Sequence, residues 1–391
     1  MRAKKEISIV RAGCLAVVLL VVASPAFAYP PPDPDNAAVL YYQAFLLYNA
    51  PTSQAFDDFV KGTTGPSEEV KECLQKGRTA ISYALMATER EQCNWGLVYS
   101  KGFSLALPHL AQCRSLAKLI LADARLLAAE GNYREALERC LSTKKLARQV
   151  GDELVIGLLV WHAIDGLADD CIRDIVGLMS PDAQMLQWLK GQLITISTPA
   201  SSFAGSLRLE HEMFMDMMRM DRLDELTEVL KGDGTSQAPA GLPAQIDEEF
   251  LAKNREYYDY YMTTLQATLA APIPYAKKHA ELKAMLNRVT QEAARKPNAV
   301  LTTVLVPALN RVFSIETKSQ ARANALRVGL ELLLVKAQTG TLPERLPANM
   351  LKDPFSDQDY LYERTSTGFV LRCQGKDLDK DTTYDYAFTV K

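Results

Sequence analysis

The chain reads as mainly α-helical, an array or bundle of helical hairpins closed by a small C-terminal α+β domain of one helix and a three-stranded antiparallel sheet. Two observations predict this. Between residues 109 and 178, apolar side chains recur at helical spacing, with Leu110, Cys113, Ala117, Ile120, Ala124 and Leu127 on one face. After about residue 358 the period falls to two, in Tyr360/Tyr362, Phe369/Leu371/Cys373 and Tyr384/Tyr386/Phe388.

Taken in order, residues 1–28 have the three-part layout of a cleaved secretory signal. Arg2, Lys4, Lys5 and Arg11 precede an apolar run from Cys14 to Ala23, followed by Ser24-Pro25 and Ala26-Phe27-Ala28. The run is about half the ~20 residues of a membrane-spanning helix. The chain is therefore expected to be exported, to the periplasm or the external medium, with no stable membrane span after cleavage. The formal charge is −3, and loss of four basic residues and one acid takes it to −6. Such a surface argues against nucleic-acid binding, which needs a basic field.

The body is expected over 29–315 and the tail over 316–391. Tyr29-Pro30-Pro31-Pro32-Asp33-Pro34 is a stiff leader, and Asp35 or Asn36 can cap a helix from Ala37 to Tyr48. Residues 50–66 read as loop, 67–76 and 78–90 as two helices, and 93–102 as a connection bearing glycine and aromatics. Gly131-Asn132 and Gly151-Asp152 divide the next three helices. Ser180-Pro181 opens a fourth. A long helix is expected from 200 to 231, then a linker at 232–243 rich in glycine and proline. Further helices follow over 245–270, 275–294 and 317–338.

Gly131-Asn132-Tyr133-Arg134-Glu135-Ala136-Leu137 carries a resemblance to a tetratricopeptide helical hairpin over residues 117–150. Asp123 departs from that pattern, and no second copy occurs about 34 residues away. The resemblance implies stacked helices. The tail resembles the globular end of a type II secretion major pseudopilin. The matching residues are Leu342-Pro343, Leu346-Pro347, Asp353-Pro354-Phe355, Tyr360-Leu361-Tyr362, Gly368-Phe369-Val370-Leu371 and Asp377-Leu378-Asp379-Lys380-Asp381. It implies a helix packed on a small sheet, and calcium in the last loop of some members. A pseudopilin polymerises through a methylated N-terminal helix, whereas this chain begins with an ordinary signal and a helical body. The whole layout resembles exported bacterial helical proteins, a likeness that carries fold and no activity.

Six cysteines follow the signal. Counting from the helix breaks, Cys140 stands about nine residues out of level with Cys113 and with Cys171, ~13 Å at 1.5 Å per residue. That exceeds the ~7 Å limit for a disulfide. Cys73, Cys93 and Cys373 are left free to pair, with Cys73–Cys93 favoured.

Catalytic signatures are few. There is no Gly-x-Ser-x-Gly elbow, and His211-Glu212 meets Met215 where a zinc protease carries its second histidine. Three constellations suit metals. Asp377, Asp379 and Asp381 offer hard oxygens for calcium, although Tyr384 onward supplies no twelfth-position glutamate. His162, Asp165 and Asp169 share a helix face that could hold a divalent ion. His211 with Met213, Met215, Met217, Met218 and Met220 offers thioethers for Cu(I), although methionine ordinarily fills gaps between helices. No cofactor is expected, with calcium the one ion allowed for. The tyrosines at 257, 258, 260 and 261 cover more than one helix face.

The expected function is binding: a non-catalytic scaffold or adaptor of the cell envelope with a protein partner. Two alternatives are an accessory of a type II secretion or pilus-like assembly, and a hydrolase or metal-dependent enzyme.

Overall fold

The computed structural model describes residues 32–51, 53–151, 154–196, 203–231, 242–243 and 245–390. The signal and most of the expected linker at 232–243 lie outside the described residues. Among the described residues twelve α-helices precede a three-stranded antiparallel sheet, the fold class that the two sequence periods predict.

Three helices open the body: α1 (Ala37–Leu46), α2 (Gln54–Lys61) and α3 (Glu68–Thr88). The stretch expected as loop contains α2. Ser53 caps it by accepting from the Phe56 N–H, and Gly62 ends it at φ 77, a left-handed conformation suited to glycine. The two helices expected over 67–90 are one. Gly77 is not a break but a close contact, because a Cβ there would sit 2.8 Å from a methyl of Leu119.

The hairpins follow as α4 (Pro108–Ala129), α5 (Tyr133–Val150) and α6 (Val155–Leu178). Their boundaries fall where Gly131-Asn132 and Gly151 placed them. Helix α7 (Ala183–Ile196) starts later than Ser180-Pro181 suggested, since Asp182 supplies the cap to the N–H groups of Gln184 and Met185. The helix expected over 200–231 is two, α8 (Phe203–Met217) and α9 (Leu223–Lys231), separated by an extended Arg219 and a 3₁₀ turn at Met220–Arg222. Arg219 and Arg222 both bind Asp216 there, and Arg255 donates to the Met218 carbonyl, so local charge pairs hold the break open. Helices α10 (Glu248–Ala270) and α11 (Tyr275–Ala293) complete the body.

Helix α12 (Thr302–Thr339) runs through the boundary expected between 315 and 316, so body and tail share it. Strands β1 (Leu361–Thr365), β2 (Gly368–Arg372) and β3 (Asp385–Thr389) lie in that order. Ala325, Val328 and Leu332 of α12 face the sheet's buried Phe369, Leu371 and Phe388 in one core. Tyr360 fixes the register by donating its hydroxyl to the Ala321 carbonyl at 2.8 Å. Gly329 lets the Phe388 ring lie on the helix, since a Cβ at 329 would stand 2.3 Å from two of its ring carbons. Gly329→Ala is expected to lower stability by about 1–3 kcal/mol through overpacking, read as a drop in the thermal midpoint. An unchanged midpoint would mean that the sheet does not seat there.

All six described cysteines are free thiols, so the favoured Cys73–Cys93 pair is not formed. The level count also fails at Cys140, whose thiol lies beside that of Cys171 in the core between α5 and α6. Packed helices cross at an angle, so equal distance from a turn is not equal height.

Candidate functional site: a groove beside the first helices

Asn36 anchors the segment that forms one wall of the groove. Its side chain caps α1 through the Ala38 N–H, accepts from the Asn94 N–H at 2.8 Å and donates to the Asn94 carbonyl at 2.8 Å. The 92–98 segment is thereby pinned along α1. Trp95 is delivered against that helix and α4, stacked on His109 at 4.5 Å and on Tyr41 at 5.5 Å, with Tyr42 edge-on. Its indole N–H donates to the Gln149 carbonyl at 2.9 Å, while the Gln149 amide donates to the Arg90 carbonyl at 2.9 Å and accepts from the Tyr41 hydroxyl. Gln149, near the end of α5, thus ties together α1, the residues just after α3 and the Trp95 segment. Beside them lies a groove of about 1030 Å³ whose lining includes Arg90, Glu91, Trp95, Tyr99, Lys145 and Arg148. Lys145 pairs with Glu89 at 2.7 Å, and Tyr99 is 42% exposed.

Sequence reading had the 93–102 connection but not the groove, because Asn36, Trp95 and Gln149 meet only through long-range contacts. The nearest histidine does not open into it. His109 is fully buried, and burial pushes its pKa down to about 4. His162 is buried on α6 and also pushed down to about 4, by desolvation that outweighs nearby Asp165.

The stripe of His162, Asp165 and Asp169 holds an ammonium group. Lys144 of α5 reaches Asp165 at 2.7 Å and Asp169 at 2.6 Å, with Lys144 and Asp169 almost wholly buried. The two carboxylates outweigh desolvation and raise the Lys144 pKa, so it stays charged. Burial nonetheless pushes Asp169 up to about 6 despite Lys144. A lysine stands where the sequence suggested a divalent ion.

The acidic tail loop has its own partners. The buried Asp377 carboxylate accepts from the Asp379 N–H at 3.0 Å, the Lys380 N–H at 3.2 Å and the Tyr384 hydroxyl at 2.6 Å. Asp379 accepts from His279 of α11 at 2.8 Å and from the Ser314 hydroxyl of α12. Although partial burial opposes this, Ser314 and His279 hold the Asp379 carboxyl below its usual range. Asp381 pairs with Lys376 at 2.5 Å. The structure therefore spreads the three predicted ligands over separate partners and makes the loop a clasp on the body, reinforced by the Leu378 N–H donating to Tyr275 at 3.2 Å.

A second copy of this loop escaped the sequence reading. Asp353↔Gln358 and Asp377↔Thr382 are matching antiparallel bridges, each with a buried aspartate first and a left-handed aspartate fifth, Asp357 at φ 58 and Asp381 at φ 55. Asp353 likewise accepts from the Phe355 and Gly375 N–H groups.

On the methionine-rich segment, Met217 and Met218 are fully buried, α8 ends at Met217, and His211 faces Asp259 at 3.2 Å. Tyr258 and Tyr261 are buried, while Tyr260 is exposed. Among the described residues, no group of three or more histidine, cysteine, aspartate or glutamate side chains is placed to hold a metal ion. No described helix is long and apolar enough to cross a membrane. Comparison with protein families, with curated proteins and with solved structures finds no match.

Proposed function

We propose that this chain is an exported, non-catalytic scaffold or adaptor of the cell envelope that holds a protein segment in the groove beside α1 and α5. The observation that carries this reading is the groove itself. Its volume is at the upper end of the ligand-pocket range, its Trp95 wall is fixed by stacking and a hydrogen bond, and Tyr99 stands exposed at its edge. Exposed tyrosine is a favoured interface anchor. Catalysis has less to draw on, since His109 and His162 are sealed and neutral.

A second reading, an accessory of a type II secretion or pilus-like assembly, is favoured by one observation. The tail packs a helix on a three-stranded antiparallel sheet, as the pseudopilin resemblance implies. Photo-crosslinking in intact cells separates the two, with the reactive residue placed in the full chain at Tyr99 or at Leu361, which is 49% exposed on β1. A discrete adduct from position 99 alone is expected. An adduct from 361 alone would move recognition to the tail, and none from either would overturn both readings.

A further inference from the structure

We propose that the segment held in this groove is an extended, acidic stretch of a partner protein; the inference rests on the groove being the binding site. The argument is one of charge against background. The chain is acidic overall, with a formal charge of −3. The groove inverts that sign, being lined by the cations Arg90, Lys145 and Arg148 and the anions Glu89 and Glu91. Lys145 is engaged by Glu89 at 2.7 Å. Arg148, exposed one turn further along α5, also lines the groove, and its guanidinium is a planar fork of donors. A carboxylate is the natural partner of that planar fork.

The neighbouring surface supplies the contrast. Ser100 and Lys101, directly after Tyr99, line a second groove of about 810 Å³. Its five carboxylates, between Asp216 and Glu228, outnumber its cations Lys101, Arg219 and Arg222. Gly102, at φ 55, lies against the guanidinium of Arg222, a residue lining the second groove. An acidic segment is thus attracted on the Arg148 side of Tyr99 and repelled on the other. Like-charge repulsion of this kind contributes as much to selectivity as attraction does. Leu97 and Tyr99 line the same groove as Arg148, and apolar and cationic lining together suit an extended chain, whose successive side chains alternate between opposite sides.

Selection of a random twelve-residue phage-displayed library on the mature chain tests this. The selected peptides are expected to be rich in aspartate and glutamate, to bind at least tenfold more weakly to Arg148→Glu, and to lose binding in Tyr99→Ala. Both residues are exposed, so neither variant is expected to disturb folding. Selected peptides that lose binding in Tyr99→Ala but show no acidic enrichment and ignore Arg148→Glu would overturn the acidic inference and leave the groove standing. A library yielding nothing sensitive to Tyr99→Ala would overturn the groove reading itself.

Discussion

Lys144→Met is expected to destabilise the protein by about 3–5 kcal/mol, the cost of leaving buried charge unpaired. The lysine is 4% exposed and is bound by Asp165 and Asp169 at the α5–α6 contact. Methionine roughly matches its volume, so the loss reports charge rather than a cavity. Adding Asp165→Asn and Asp169→Leu to the same chain should recover most of the stability, because apolar replacement of a buried ion cluster is often neutral. Urea midpoints measure both, and a single-variant loss below about 1 kcal/mol would show the cluster to be well hydrated. The pH dependence has a definite sign. Asp169 titrates at about 6 in the folded chain, above the ~3.9 of an unfolded aspartate. The folded state therefore binds the extra proton, and this group's contribution to stability falls as pH rises from about 4 to 6. Without the ammonium the Asp169 carboxyl moves further up, so the Lys144→Met penalty should be smaller at pH 5 than at pH 7.

Asp377→Ala is the second large effect. It strands the Asp379 and Lys380 N–H groups and the Tyr384 hydroxyl, all donors to that carboxylate. At about 1–3 kcal/mol for each buried donor left unmet, partly relieved by water, a net loss of about 3 kcal/mol is expected. Asp377→Asn keeps an acceptor oxygen and should lose less. The same experiment tests calcium. An ion at Asp377, Asp379 and Asp381 must displace the partners that those carboxylates already hold, so millimolar calcium is expected to leave the wild-type thermal midpoint unchanged. A rise of several degrees that vanishes in Asp377→Ala would establish the ion site.

The sequence made some elements plain and hid others, for physical reasons. Gly131-Asn132 and Gly151 marked hairpin ends because a backbone break is local. The alternation at 360–388 marked strands because a half-buried sheet imposes period two. Gly77 misled for the opposite reason: its role is contact with Leu119 of another helix, and no local pattern separates a packing glycine from a breaking one. Helix α2 was missed although Ser53 and Gly62 bracket it, since eight residues give too short a period to stand out. The acidic stripe on α6 was legible, but not its content, because Lys144 comes from a different helix. Likewise the calcium-like spacing at 377–381 was visible while His279, Ser314 and Tyr384, its actual partners, were not.

The helix shared by body and tail has a mechanical meaning. At 1.5 Å per residue, Thr302–Thr339 makes a strut roughly 57 Å long, with the sheet seated near its C-terminal end and the Ser314 clasp partway along it. A pull on β1 crosses the sheet to β3 and passes through Phe388 and Gly329 into the strut, and along it to the hairpins. The tail would thus respond to traction as a lever fixed to the body rather than as a pendant.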